Sequence, residues 1–345
     1  AAVLAHHFDR ANETKAAIEY HRMAARNASL RFASSDAIAH LHRALELQER
    51  THDAELEARI LTQLAEALPA VQGVTGADFP DLFSRARRLR AGDAEAFEGA
   101  LTLAWLAVAN LMRGNDLAAE TLAGELARIP SNPSTALLSA LVTGAVLYHQ
   151  GDITGAAEHV TVDNADAVHV PAVGPIDLHV ALSTLASVVL WQAGRPATAR
   201  AQAARALSRA EADAHPFNML LALQAKAVVD FWCGDLSTAM ASARRLQEAA
   251  AHQGIDDVKA ISLMIQGCIH GATGSEAEAV AAINASLEAL QAHGAVMTHS
   301  FLLTIAAEAL TGLGRLERAA GLLREGRQQI ADGDARYYEP EIHRL

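Results

Sequence analysis

The chain has 345 residues, of which 51% are hydrophobic but only 4% aromatic, and its formal net charge is −12. An acidic surface repels a phosphate backbone, so this composition argues against direct binding of nucleic acid. No apolar run reaches the roughly 18 residues that a membrane-spanning helix needs. The two cysteines, Cys233 and Cys268, form no CxxC pair, which is typical of a reducing compartment, and we expect a cytoplasmic protein.

The first third of the chain shows helical patterning without a regular spacing. The stretches that carry the pattern are 4–20, 34–47, 53–68 and 78–90. The last two stretches predict one helical hairpin, whereas the first two lie close together. The basic run SRARRLR (84–90) is an exception to the acidic composition, and we interpret it as a solvated helix face.

From residue 95 onward the sequence repeats about a glycine. Each repeat has a small residue seven positions before the glycine and an alanine five positions after it. The glycines are Gly114, Gly151, Gly194, Gly234, Gly274 and Gly314, and the last four are 40 residues apart. Glycine ends a helix in the left-handed conformation without a steric penalty, and small residues let two helices approach closely. Each glycine therefore predicts the elbow between a first helix (A) and a second helix (B).

The predicted hairpins fill most of the chain. The A helices are expected at 95–112, 134–149, 176–192, 216–232, 256–272 and 296–312. The B helices are expected at 116–129, 152–161, 196–211, 236–251, 276–292 and 315–331. Pro171 and Pro175 predict a long loop at 161–175. We expect 1–50 to form irregular leading hairpins, 51–334 to form the repeats, and 335–345 to begin a truncated further repeat.

The small residue, the elbow glycine and the following alanine resemble the tetratricopeptide pattern. The usual unit has about 34 residues, so each helix is longer here. HEAT and armadillo units are an alternative near this length, but they lack the elbow signature. The predicted fold class is therefore all-α, an α-solenoid (right-handed superhelix) of tetratricopeptide-like helical hairpins.

Two further stretches carry a narrower resemblance. The stretch from LAHHFDRANETKAAIEY to SSDAIAHLHRALEL and the stretch ARYYEPEIHRL resemble the repeat region of bacterial signal-transduction (STAND-type) ATPases. Some of these proteins carry an adenylate-cyclase-like domain in front, and others carry a LuxR-type DNA-binding domain behind. The resemblance implies that this chain is a piece of such a protein. The ATPase and cyclase motifs are not in the sequence, so neither activity is carried over.

An apolar stripe marks the candidate binding groove. In tetratricopeptide arrays the A helices line the concave face, and by analogy the third residue before each glycine points into it. The candidate ligand-binding residues at and beside this position are Leu111, Tyr148, His149, Trp191, Phe231, Trp232, Asp230 and His270. The stripe is either a groove or ordinary core. Basic residues are absent from the other groove positions. A ligand is therefore expected to be a protein or peptide segment, or a small apolar inducer.

Catalytic motifs are absent from the sequence. There is no GxxxxGK[ST] phosphate loop, no HExxH and no GxSxG, and we expect no cofactor and no bound metal. Asp230 and His270 stand four residues before neighbouring elbow glycines, so stacked repeats should bring them into contact. With Cys233 they could form a hydrolase-like site, but a buried polar pair is the favoured interpretation.

These observations predict a non-catalytic sensor or protein-interaction domain of a larger bacterial signalling ATPase or transcriptional regulator. A free-standing tetratricopeptide scaffold or adaptor is the second interpretation. A hydrolase-like enzyme at Cys233, Asp230 and His270 is the third.

Overall fold

The structure is a computed structural model that describes residues 1–29, 31, 33–68, 79–89, 97–129, 132–162, 168, 170, 176–213, 215–293, 299–332 and 335–345. Within these ranges all regular secondary structure is helical. The helices before the regular repeats are α1 (Ala2–Arg10), α2 (Thr14–Ser29), α3 (Ser34–Gln48), α4 (Ala54–Ala67) and α5 (Phe79–Leu89). The predicted loop 161–175 lies largely outside the described residues.

The regular part of the array alternates A and B helices as the sequence predicts. The A helices are α6 (Phe97–Met112), α8 (Pro133–Gln150), α10 (Leu178–Gln192), α12 (Pro216–Trp232), α14 (Asp256–Ala272) and α16 (His299–Gly312). The B helices are α7 (Asp116–Ala127), α9 (Ile153–Val160), α11 (Pro196–Asp213), α13 (Leu236–Gln253), α15 (Glu276–His293) and α17 (Leu316–Ala331). A short helix, α18 (Glu339–Arg344), ends the chain.

Packing between the hairpins produces two layers. Each A helix contacts the A helix of the next hairpin. Each B helix except the last, α17, packs between its own A helix and the following one. The A helices therefore form one continuous layer, and the B helices cover its other side. This arrangement is an α-solenoid, as predicted. No helix in the described part of the chain is both long and apolar enough to cross a membrane.

The elbows have the geometry that the glycines require. All six predicted elbow glycines have a positive φ, between 71° and 86°. At Gly234 the glycine N–H donates to the Phe231 carbonyl at 3.0 Å, and the Asp235 N–H donates to the Asp230 carbonyl at 2.9 Å. This pair of bonds is a Schellman motif, which satisfies the last carbonyls of α12. The Asp235 side chain then caps α13 by accepting from the Thr238 N–H.

Small residues bring the two helices of each hairpin together. The alanines five residues after the elbow glycines are all buried; they are Ala119, Ala156, Ala199, Ala239, Ala279 and Ala319. At Gly267 in α14, an added Cβ would lie 3.1 Å from the Ile283 nitrogen and 3.2 Å from the Ala279 oxygen. The backbones of α14 and α15 therefore nearly touch at this glycine, as the pattern predicts.

The amino-terminal helices have a break that the sequence pattern does not show. The apolar pattern of 4–20 runs on through Asn12, but Asn12 adopts a left-handed φ of 58° and separates α1 from α2. Asparagine is among the few residues that tolerate this conformation. The bidentate bond between Arg43 and Asp9, at 2.7 and 2.8 Å, then ties α3 to α1. Helices α4 and α5 pack together as the predicted hairpin.

Candidate functional site

Two tryptophans of the predicted stripe meet across neighbouring hairpins. Trp191 lies near the end of α10 and Trp232 ends α12, and their rings stack with centroids 4.5 Å apart at an interplanar angle of 26°. Both side chains are half-buried. The repeat explains the contact, because each tryptophan stands just before an elbow glycine and consecutive A helices lie side by side.

Residues 335–338, which we call the crossing segment, run over this layer of A helices. The Arg336 N–H donates to the His149 carbonyl at the end of α8, at 2.7 Å. The Tyr337 ring stacks on Tyr148 of the same helix, with centroids 4.4 Å apart at 20°. The crossing segment therefore contacts a helix that lies almost 190 residues earlier in the chain.

The crossing segment also contacts two later A helices. Tyr338 lies parallel to Trp232 of α12 with centroids 6.2 Å apart, and it meets Phe301 of α16 edge to face at 5.0 Å. The Ser300 hydroxyl donates to the Ala335 carbonyl at 3.3 Å. The parallel and the edge-to-face ring pairs of Tyr338 are both arrangements that aromatic rings prefer. The segment thus bridges α8, α12 and α16, which belong to three non-adjacent hairpins.

The aromatic cluster is largely buried, and the carboxylates of Glu341 and Glu308 act on its Tyr338 end. Burial raises the pKa of the Tyr148 phenol, and it also raises the pKa of the Tyr338 phenol. Both phenols therefore remain neutral near pH 7. The Gln192 amide donates to the Tyr148 hydroxyl at 3.0 Å. The ring contacts suit a ligand with aromatic side chains.

The other predicted groove residues occupy different environments. Leu111 is 3% exposed and belongs to the core between hairpins. Phe231 is half-buried and packs against the core of the later hairpins. His149 is buried, its carbonyl accepts from Arg336, and its Nδ1 lies 3.0 Å from the Asp116 carboxylate. The stripe is therefore partly core and partly a surface that the crossing segment covers.

The expected contact between Asp230 and His270 is replaced by a different pairing. Asp230 is fully buried, and its carboxylate pairs with Lys226, one turn earlier in α12. The Arg200 guanidinium lies 3.9 Å from the other carboxylate oxygen. Within the described residues, no hydrogen bond or ion pair joins Asp230 to His270. The spacing of four between Lys226 and Asp230 was visible in the sequence, and helix geometry makes such a pair the nearest partner.

The cysteines do not complete a catalytic constellation. Cys268 is buried with its Sγ 3.5 Å from the Ile305 carbonyl, and burial raises the pKa of its thiol. Cys233 is half-buried at the end of α12. In the described ranges no hydrogen bond links Cys233 to Asp230 or His270, and no cluster of three or more His, Cys, Asp or Glu is placed to hold a metal ion.

Comparison with known proteins identifies relatives of the fold. No protein-family model and no curated protein matches the sequence. A Rap protein complexed with competence and sporulation factor matches with a TM-score of 0.60 at 12% identity, over 93% of this chain and 98% of that one.

Two further solved structures match less closely. Aspartyl phosphate phosphatase F from Bacillus subtilis has a TM-score of 0.47 at 12% identity, over 90% of this chain and 93% of that one. The apo form of RapI has a TM-score of 0.43 at 12% identity, over 92% of this chain and 99% of that one. At this identity the match to the first Rap structure, with a TM-score of 0.60, shows a shared fold alone. Together with the helix packing, it confirms the prediction of an all-α solenoid of tetratricopeptide-like hairpins.

Proposed function

We propose that the chain is a non-catalytic sensor or protein-interaction array whose A-helix layer binds an aromatic protein segment. The observation that carries this proposal is the crossing segment, because the aromatic residues of three A helices already hold such a segment. Tyr148, Trp232 and Phe301 supply the ring contacts, and the His149 carbonyl supplies a main-chain acceptor. Large aromatic anchors of this kind dominate the free energy of many protein interfaces.

The groove is suited to sensing because its walls belong to different hairpins. A ligand that contacts several A helices favours one curvature of the solenoid over others. It then shifts the population of conformations according to that difference in affinity. A Rap protein of similar fold is complexed with competence and sporulation factor, which supports a ligand-binding role for such an array.

The kind of full-length protein to which the array belongs is inferred from the narrower sequence resemblance. The amino-terminal stretch and ARYYEPEIHRL resemble the repeat region of bacterial STAND-type ATPases. We therefore assign the array the role of the sensor arm of a signalling ATPase or transcriptional regulator. The reading frame upstream of Ala1 in the source gene tests this assignment. A phosphate-loop sequence there would support it, whereas a start codon immediately before Ala1 would overturn it and leave a free-standing scaffold.

Selection from a random linear peptide library tests the binding site. We expect the selected peptides to be rich in aromatic residues. In a Tyr337→Ala/Tyr338→Ala background, which removes the crossing segment's own rings from the groove, adding Trp232→Leu should weaken their binding at least about tenfold. Trp105→Leu is the matched control, because Trp105 stacks on Phe83, outside the crossing segment's contacts. Equal loss of binding in the two variants would contradict the proposed groove, as would selected peptides without aromatic residues.

A further inference from the structure

We propose that the crossing segment is an internal substitute for the partner, and that the partner is a protein segment with two adjacent aromatic residues that displaces it. This inference rests on the proposed function. It adds the chemistry of the ligand and the competition that governs its binding.

The main chain of the crossing segment is held as a docked peptide would be held. The last four carbonyls of α8 accept no hydrogen bond within the helix, and the His149 carbonyl is one of them. The Arg336 N–H donates to this carbonyl. The segment passes close to Gly151, where an added Cβ would lie 3.4 Å from the Arg336 oxygen, an ordinary van der Waals contact. Any non-proline residue can supply the same N–H donor, so this contact fixes position without selecting a side chain.

The side chains of the crossing segment differ sharply in burial. Ala335 is fully buried and Tyr338 is 8% exposed, whereas the Arg336 side chain is exposed to solvent. Tyr337 and Tyr338 point to different partners, with their rings inclined at 69° to each other. The groove therefore recognises a small residue, then any residue with an N–H, and then two aromatic residues.

The segment also restrains the array in a way that hairpin stacking does not. In a solenoid each repeat normally contacts only its neighbours. The crossing segment instead connects α8 with α12 and α16 through Tyr148, Trp232 and Phe301. Its displacement by a partner removes this connection and frees the curvature of the A-helix layer, which couples binding to a change of shape.

Tethering makes the internal segment a strong competitor. A segment joined to its site by a short stretch of chain has an effective concentration in the millimolar range. The partner's apparent affinity falls in proportion to the fraction of molecules in which the site is open. The wild type should therefore bind an isolated copy of the segment weakly, and a variant with an undocked segment should bind it well.

A synthetic peptide of residues 335–345, labelled with fluorescein, tests this competition by fluorescence anisotropy. We expect the Tyr337→Ala/Tyr338→Ala variant to bind this peptide at least about tenfold more tightly than the wild type. The same peptide with alanine at both tyrosine positions should not bind, and adding Trp232→Leu to the variant should abolish binding. Tyr20→Ala is the control, because Tyr20 stacks on Phe8 at 5.1 Å away from the groove.

Tyr338 is buried, so the double variant could fail to bind because it is misfolded. A second pair of variants, which leaves Tyr338 in place, separates misfolding from loss of competition. Tyr337→Ala removes the half-buried ring, and Arg336→Pro removes the N–H donor together with the exposed side chain that pairs with Glu339. Each should tighten binding of the peptide relative to the wild type while the far-ultraviolet circular dichroism is unchanged. Folded variants that bind the peptide no better than the wild type would overturn the inference.

The two proposals fail in distinguishable ways. If the 335–345 peptide does not bind the opened variants, but library-selected aromatic peptides still require Trp232, then this inference is wrong and the proposed function stands. If neither kind of peptide depends on Trp232, then both are wrong.

Discussion

Replacing Gly267 by alanine should destabilise the array, although alanine is the better helix former. Gly267 lies inside α14, where its missing side chain faces α15. An added Cβ would lie 2.8 Å from the Ile283 Cγ1, 3.1 Å from the Ile283 nitrogen and 3.2 Å from the Ala279 oxygen. Two of these atoms are backbone, so a rotamer change alone cannot relieve the crowding, and α15 must move as a unit.

A second glycine separates packing from helix propensity. Gly124 also lies inside a helix, α7, but a Cβ there would have nothing within 4 Å. Gly124→Ala should therefore stabilise the protein by about 1 kcal/mol. Gly267→Ala has the same propensity gain, opposed by an overpacking cost of about 1–3 kcal/mol. The difference between the two variants isolates the packing cost, and we expect it to be about 1–3 kcal/mol.

Urea unfolding followed by circular dichroism measures this difference. Thermal melting is less suitable, because 1 kcal/mol shifts the Tm of a chain this long by only roughly 1–2 °C. Hydrogen exchange of the α14 and α15 amides checks the same loss of stability under native conditions. A Gly267→Ala variant at least as stable as Gly124→Ala would refute the close approach of α14 and α15.

Three further predictions concern charged and titratable groups. Asp230→Asn leaves the Lys226 ammonium without its buried counter-ion and should cost roughly 3 kcal/mol of unfolding free energy, measured in urea. The hydrogen bond from Arg43 lowers the pKa of Asp9, so its stabilisation is present above the unfolded pKa near about 4 and is lost as pH falls through the folded pKa. Asp9→Asn should therefore remove most stability at pH 7 and progressively less as the pH falls below about 4, as urea midpoints across this pH range will show. Burial raises the pKa of the Cys268 thiol, which should react with an aromatic disulfide reagent only at the rate of local opening.

Control measurements separate these effects from general destabilisation. Glu276→Gln breaks the half-exposed pair with Arg315 and should cost less than about 1 kcal/mol. An equal loss for Asp230→Asn and Glu276→Gln would contradict the buried pair. Cys233 is half-buried and should react before Cys268, so equal rates for the two thiols would contradict the described core. An Asp9→Asn effect independent of pH would show that the bond to Arg43 contributes through packing alone.

Most of the repeat architecture could be predicted because its determinants are local. A glycine, a small residue seven positions earlier and an alanine five positions later specify the elbow and the closest approach of two helices. Gly234 illustrates the elbow, because it has a positive φ. Gly267 illustrates the close approach, because backbone atoms of α15 lie next to it. Such positions depend on neighbouring residues in the same hairpin, so periodicity alone reveals them.

The candidate site could be predicted only in part. The sequence placed Tyr148, Trp191 and Trp232 on one layer, but it gave no sign that residues 335–338 cover it. That contact depends on the curvature of the whole solenoid, which sums small rotations between hairpins. Asp230 shows a different failure, because its repeat position suggested His270 as a partner, while Lys226 on the same helix is closer.

The bridge from Tyr337 to Tyr148 also has a consequence for how the protein folds. A simple helical array has low contact order, and its hairpins can fold and unfold one after another. A contact between residues almost 190 positions apart closes a long loop, and this loop contains the hairpins from α8 to α17. These hairpins should therefore unfold as one cooperative unit, with exchange protection that rises and falls together. Helices α1 to α5 lie outside the loop and should open independently, at a lower free energy.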